Sequence, residues 1–443
     1  MDGDPAVEPE LDSFSLTFPL PYRVAFIVVL AVWGWGLNLH YLYLVKIDVP
    51  ALIRYPGRPS PHHPPHHLSV YRLASVLTTV FGFSLVLFWL FTRRDPDLVL
   101  AWDWLPLVYL AVLVALLAAP LPRNAILSGL PHAGRARLRS TLRRIALGGI
   151  AEAKDGKFGD ILLADVLTSY AKVFGDLYVA LCMFLRTDGS ATARPDRGCG
   201  GVVVVPLILA IPSLIRLRQC LIEYGRVRRG PLGGSAGWGG QHLANALKYS
   251  TAFPVVILNA YQRNHPSSSV FRLWVVACLV NSLYSFYWDV AKDWDLELFQ
   301  DIFSRARDRN YRDQQQQLQH PFGLRRTLRL GPPALYYAVI ATDLLLRCTW
   351  GLKLLPGGRL DDSEASVFAV EALEVARRWV WIFFRVETEW VRNNNTSSAP
   401  GMGMGMGLLG GESYDDDDDE NLGIALGDMS GGKYRDVVVG VED

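Results

Sequence analysis

The sequence predicts an all-α polytopic membrane protein with about nine transmembrane helices, the N-terminus luminal and the C-terminus cytosolic. Three observations lead there. Half of the 443 residues are hydrophobic, and they fall in blocks of about 20, the length at which a helix crosses a bilayer core. Basic residues gather in alternate connections between those blocks, the pattern that distinguishes cytosolic from luminal loops. The first 21 residues carry Asp2, Asp4, Glu8, Glu10 and Asp12 but no base. They lack the basic lead-in of a cleaved signal, so the first block is expected to stay as an anchor.

In order, the blocks are 22–45, 71–91, 98–119, 161–185, 202–221, 243–261, 271–290, 334–354 and 367–384. The sixth is the weakest span, because His242, Asn245 and Lys248 dilute it and Pro254 interrupts it. A broken, polar segment is tolerated only where protein or water surrounds it. Lys46, Arg54 and Arg58 follow the first block, and a long basic loop including Arg123, Arg135, Arg144 and Lys157 follows the third. Arg226, Arg228 and Arg229 follow the fifth, and arginines from Arg305 to Arg329 follow the seventh. The connections after the even blocks are short and mixed in charge. Eight spans would break the alternation.

The chain divides into a luminal segment 1–21, peripheral helices 1–3 over 22–158, a core of helices 4–9 over 159–390, and a tail 391–443. The tail contains GMGMGMG and a run of aspartates from Asp415 to Asp419. Like charges and little apolar surface make disorder the expectation, and the sequons at Asn394 and Asn395 are inert on a cytosolic tail. RPSPHHPPHH, Arg58 to His67, is read as an extended loop rather than a metal site, since its prolines fix no ligand geometry. The Gly-rich stretch 230–240 is a hinge or a loose connection. Cys182, Cys199, Cys220, Cys278 and Cys348 show neither metal nor disulfide spacing and are expected to be small core residues.

Charges inside the blocks are the candidates for function, since burying them in a membrane is costly. In the fourth block Asp165, Thr168 or Ser169, Lys172 and Asp176 fall on one helical stripe. The seventh closes on WDVAKDWDLELF, with Asp289, Lys292, Asp293 and Asp295 where such a segment meets water. The ninth carries Glu371, Glu374, Arg377, Arg378 and Arg385, and the eighth carries Arg347 three residues before Trp350. Glu374 and Arg378 can pair at i,i+4, which leaves Arg377 needing another anion. Guanidinium forks match the oxygens of phosphate or carboxylate. Three arginines and Lys248 buried with several acids therefore suggest an anion site that is neutral when empty, with a purely structural ion network as the alternative. No Walker loop, HExxH or G-x-S-x-G is present, so an enzyme is not expected.

With these residues in hand, the chain resembles the EXS-domain family of phosphate exporters. GDILLADVLTS resembles the family's Asp-containing helix, and QHLANALKYS its HLxNAxKYS block. YSFYWDVAKDWDL resembles its YxxxWDxxxDWGL signature, and DLLLRCTW with LEVARRWVWIFFRVETEW its two closing helices. The resemblance spans the core segment 159–390. It implies a phosphate path at Asp165 and Thr168, Lys248 and Tyr249, Asp289 and Asp293, Arg347 and Trp350, and Arg377 and Arg378. Two positions depart from the pattern: Asp295 stands where the family has Gly, and residues 238–240 replace a basic, aromatic approach. Only 21 residues precede the first block, as in the short fungal Golgi members without an SPX domain.

That resemblance implies export of inorganic phosphate from the Golgi lumen to the cytosol, supporting glycosylation and retention of luminal ER proteins. The expected location is the Golgi membrane, with the ER or another endomembrane as the alternative. Expected partners are inorganic phosphate and the lipid bilayer, with Golgi coat or sorting factors on the cytosolic loops and tail, and a homodimer. No nucleic acid, metal or cofactor is implied. The competing function is a trafficking or scaffold protein for Golgi sorting that does not transport.

Overall fold

The computed structural model describes residues 11–55, 65–119, 132–186, 189–229, 239–307, 321–354 and 363–397. All regular structure among them is helical. The start of the luminal segment, most of the His-rich and Gly-rich stretches and the tail beyond 397 lie outside the described residues.

Asp12 caps Ser13–Thr17 (α1) by accepting from the Ser15 amide, and Pro19 and Pro21 set the entry to Leu20–Leu44 (α2). Val49–Leu52 (α3), capped by Asp48, precedes His66–Thr92 (α4), which ends on the left-handed backbone of Arg93 and Arg94. Asp95 caps Pro96–Ala101 (α5) ahead of Trp104–Ala118 (α6), and the basic His132–Ala146 (α7) follows. The core contains Lys157–Ser169 (α8), Ala171–Phe184 (α9), Val204–Arg229 (α10), Gly240–Ser250 (α11) and Ala252–Asn264 (α12). Ser268–Trp288 (α13) runs into a π-turn at Asp289–Asp293, followed by Leu298–Arg307 (α14). Pro333–Arg347 (α15), the 3₁₀ segment Thr349–Leu354 and Glu364–Ser397 (α16) complete it.

Helix occupies every predicted block, but length and apolarity alone single out fewer crossings. Among the described residues α2, α4, α10 and α13 with its π-turn are long and apolar enough to cross a membrane; α8 and α9 form a bent fifth. α6 and α15 have 15 residues each, about 22 Å of helix against a core of about 30 Å. The last helix continues to Ser397, past the predicted start of the tail at 391.

Several core helices are interrupted. The fourth block bends by 61° between α8 and α9, where Tyr170 leaves helical geometry. Just before it, Thr168 returns its hydroxyl to the Asp165 carbonyl. The sixth breaks at Thr251, three residues before Pro254, which has no amide proton for the ladder. The π-turn inserts its extra residue at the acids of the seventh. The interruptions leave polar groups of different helices facing one another inside the bundle.

Two apolar clusters hold this arrangement. Tyr22 packs with Phe81, Phe88 and Tyr109 between α2, α4 and α6, and its hydroxyl pairs with Ser84. Trp294, Tyr336, Trp381 and Phe384 centre the other. α2 also meets α16 closely at Gly34, whose carbonyl accepts from the Trp379 indole at 2.9 Å. A Cβ on Gly34 would lie 2.9 Å from that ring.

The cysteine expectation is corrected. Cys182 and Cys199 form a disulfide joining the end of α9 to the segment before α10. Their separation of 17 residues matches no compact motif, and only the turn of the chain after α9 brings them together. Cys220 and Cys278 are buried, as expected.

Candidate functional site

The bend of the fourth block, the break of the sixth and the π-turn converge on one buried cluster of charge. From α8, Asp165 accepts from Arg216 Nε of α10 at 2.6 Å and from the Tyr249 hydroxyl of α11. Arg216 also donates to Gln219 at 2.7 Å, and Gln219 donates to the Gly149 carbonyl. Lys248 lies 3.4 Å from both Asp289 and Asp293, over the faces of Tyr249 and Trp288. Asp289 is fully buried and also meets Arg347 and, at 3.5 Å, Arg377. Asp343 of α15 accepts from Arg347 at 2.9 Å and from Arg377 at 2.9 Å. Glu374 closes the set by accepting two bonds from Arg377, at 2.6 and 3.0 Å, and one from Ser169.

The cations here are Arg216, Lys248, Arg347, Arg377, Arg378 and Arg385, and the acids are Asp165, Asp289, Asp293, Asp343, Glu374 and Glu389. Charge is balanced, as the sequence suggested, but the pairing differs from the expected one. Glu374 takes Arg377 at i,i+3, so Arg378 is the residue left over. Arg378 is 5% exposed and pairs with no carboxylate among the described residues. Its Nε donates to Ser169 Oγ at 3.0 Å, and its Nη2 lies 3.4 Å from Thr168 Oγ1. Its guanidinium sits over Trp381, and its Nη1 is buried without a hydrogen-bond partner. A desolvated guanidinium with neutral neighbours and an open donor is suited to hold an anion. The side chain of the neighbouring Glu374 is 37% exposed.

The structure joins Asp165, Thr168, Lys248, Tyr249, Asp289, Asp293, Arg347, Arg377 and Arg378 in this cluster. Trp350 stands apart from its hydrogen bonds: the indole donates to Ser282 Oγ at 3.0 Å and meets the Trp274 ring edge-on. Asp295 is half-exposed and pairs with Arg392. The predicted stripe of the fourth block is divided by the bend. Asp165 faces the central cluster, while Lys172 and Asp176 belong to a second one with Glu371 and Arg197. Sequence reading missed Arg216 and Asp343. The signals were available: Arg216, with Arg218, interrupts the apolar run of the fifth block, and Asp343 precedes Arg347 by one turn.

The second cluster continues to the end of the bundle that carries the disulfide. Arg197 holds Glu364 with bonds of 2.7 and 3.0 Å, and Arg23 donates to the same carboxylate at 2.7 Å. Burial alone would push Glu364 up, but the two guanidiniums overcome it and hold the carboxyl below its ordinary value.

These blocks coincide with a known family pattern: the EXS family model matches residues 18–391. The chain belongs to the EXS family. The match starts just before α2 and ends inside α16, and so covers both clusters. Protein ERD1 homolog 1 of Schizosaccharomyces pombe is 30% identical over 383 residues, 86% of this chain and 93% of that protein. The SPX and EXS domain-containing protein 1 of Dictyostelium discoideum is 27% identical over 394 residues, 87% of this chain but 38% of that one. Solute carrier family 53 member 1 of Mus pahari is 32% identical over 257 residues, 53% of this chain and 33% of that protein. As an EXS protein, the chain is an α-helical membrane protein of the ERD1 group.

Proposed function

We propose that this EXS protein carries inorganic phosphate from the Golgi lumen to the cytosol, recovering the phosphate released by glycosylation and so supporting retention of luminal ER proteins. The observation that carries the reading is Arg378, a buried guanidinium with no carboxylate partner among the described residues and one open donor. Phosphate would take that position between Thr168, Ser169 and Arg378, with Arg377 and Arg347 adjacent. The surrounding acids keep the empty site neutral and prevent binding too tight for release. A purely structural network gives no reason to leave one arginine unanswered, because an unpaired buried charge is expensive.

The disulfide supports the orientation. Disulfides persist in oxidising compartments such as the secretory lumen, and Cys182–Cys199 lies at the end of the bundle where α2 begins. That agrees with a luminal N-terminus read from loop charge. The family and the ERD1 relatives agree with an endomembrane location, and the Golgi is the compartment this reading assigns.

The test is labelled-phosphate flux in proteoliposomes. Charge-assisted bonds from one guanidinium are each worth roughly 1.5–3 kcal/mol, so Arg378→Ala should reduce flux on the order of a hundredfold while the protein still inserts. Arg378→Lys should keep part of it. Unchanged flux in Arg378→Ala would sink the site assignment.

A further inference from the structure

One buried acid has no part in the anion cluster. Glu371 on α16 is 5% exposed, and its Oε1 is buried without a hydrogen-bond partner among the described residues. Its Oε2 has one nearby cation, Lys172 Nζ of α9 at 3.9 Å. That ammonium already lies 2.8 Å from Asp176 Oδ2, so two carboxylates share one lysine. Arg197, from the segment between α9 and α10, approaches Asp176 at 3.9 Å but is held by Glu364. Arg23 of α2 is likewise committed to Glu364, Ser15 and the Phe18 carbonyl. The charged groups facing Glu371 are therefore Lys172 and Asp176 from α9, Arg197 from the segment after it and Arg23 from α2. None of them supplies a short bond to its carboxylate.

We propose that Glu371 is a proton-binding site on the luminal side of the arginine cluster, and that its protonation strengthens anion binding at Arg378. The step is simple in its balance. A proton from the luminal water adds to the Glu371 carboxylate, giving a neutral acid and removing one negative charge. With Glu371 ionised, Arg23, Lys172 and Arg197 balance Asp176, Glu364 and Glu371. With Glu371 neutral, the group carries one net positive charge.

Glu371, Glu374 and Arg378 are spaced three and four residues apart on one face of α16, so the proton site lies two turns, about 10 Å, from the open guanidinium. One unit of charge at that distance, in the intermediate dielectric of a protein, changes anion affinity roughly tenfold. Lys172, 37% of whose side chain is exposed, would serve as the proton's approach. An acidic lumen would thus load the site with anion, and a rise in luminal pH would weaken its hold. This coupling rests on the phosphate reading above; the proton site itself does not.

Purified full-length protein and its Glu371→Gln variant separate the two. Infrared difference spectra between mildly acidic and mildly alkaline buffer should show the C=O stretch of a protonated carboxylic acid in the natural sequence and lose it in Glu371→Gln. Lys172→Met, which keeps the carboxylate but removes its cation, should make that band appear at higher pH and serves if the Gln variant fails to insert. Binding of labelled inorganic phosphate should be tight in Glu371→Gln at both pH values, and about tenfold weaker in the natural sequence only at the alkaline one. Phosphate's own titration is common to both proteins and cancels in their ratio. Identical spectra for Glu371 and Gln overturn the proton site, and phosphate affinities that match at both pH values overturn the coupling. Absence of phosphate binding in every protein, with the band intact, sinks the phosphate reading and leaves the proton site standing.

Discussion

Arg377 and Arg378 are adjacent in sequence yet hold different positions in the charge network. Arg377 is enclosed by Glu374, Asp343 and Asp289, whereas Arg378 faces two hydroxyls and the Trp381 ring. That difference was not legible in the sequence. The arginine pair was, because a charge in mid-span is conspicuous, but which acid answers which arginine depends on a rotation of one residue along α16 and on Asp343 from another helix. Arg216 makes the same point. It holds Asp165 at 2.6 Å, and both are buried. Removing one partner strands the other charge, so Arg216→Ala should lower stability by about 3–5 kcal/mol, and Arg216→Ala with Asp165→Asn should recover much of it. Thermal unfolding of the two variants in detergent checks this; equal losses in both would mean that Asp165 is not left as a stranded charge. Glu364 gives a pH prediction. Its folded carboxyl is held below the ordinary value by Arg197 and Arg23, so its contribution is complete above the ordinary carboxylate range and disappears as the pH falls through the lower folded value. Glu364→Gln should therefore unfold earlier than the natural sequence at neutral pH and converge with it in acid. Melting curves that stay parallel across that range would count against the assignment.

At the scale of elements, the hydrophobic blocks located the apolar core helices, because burial in lipid demands long apolar runs, but not the amphipathic α14, Leu298–Arg307, which lies between two blocks. Their interruptions were harder to read. Pro254 announced the break between α11 and α12, while the 61° bend at Tyr170 has no proline or glycine at the turn to give it away. It follows from packing, which directs Asp165 to one charged cluster and Lys172 to the other. The disulfide was equally hidden, since spacing predicts a bridge only when the path of the intervening chain is known. Closing a loop of 17 residues constrains the unfolded chain by about 3 kcal/mol. Replacing Cys182 and Cys199 by Ser should lower the melting temperature and remove the mobility difference between reduced and non-reduced gels. The bridge also fixes the segment that carries Arg197, so the same double variant should weaken the Glu364 contribution. If acid sensitivity is untouched by the loss of the bridge, the segment is held by its other bonds, such as Thr192 to the Val99 carbonyl.

For the whole molecule, loop charge and the disulfide point to the same orientation through unrelated physics, one from membrane insertion and the other from redox chemistry. The proposed direction of transport depends on it, because Glu371 and Glu364 lie towards the disulfide end, while Asp293 lies beyond Asp289 on the π-turn that terminates α13. An epitope placed before residue 11 should survive protease added outside sealed Golgi vesicles, and one placed after residue 443 should be removed. Reversed protection would reverse the proposed direction. The tail then distinguishes transport from scaffolding. Every residue of both charged clusters precedes Ser397, and the family match ends at residue 391. A chain truncated after Ser397 should therefore keep its phosphate flux in proteoliposomes, within about twofold, since it retains every residue of both clusters. If that truncated chain transports normally but fails to retain luminal ER proteins in cells, the tail carries a sorting contact additional to transport. If flux itself is lost, the transport machinery extends past the helices, and the assignment of the path to the arginine cluster alone is wrong.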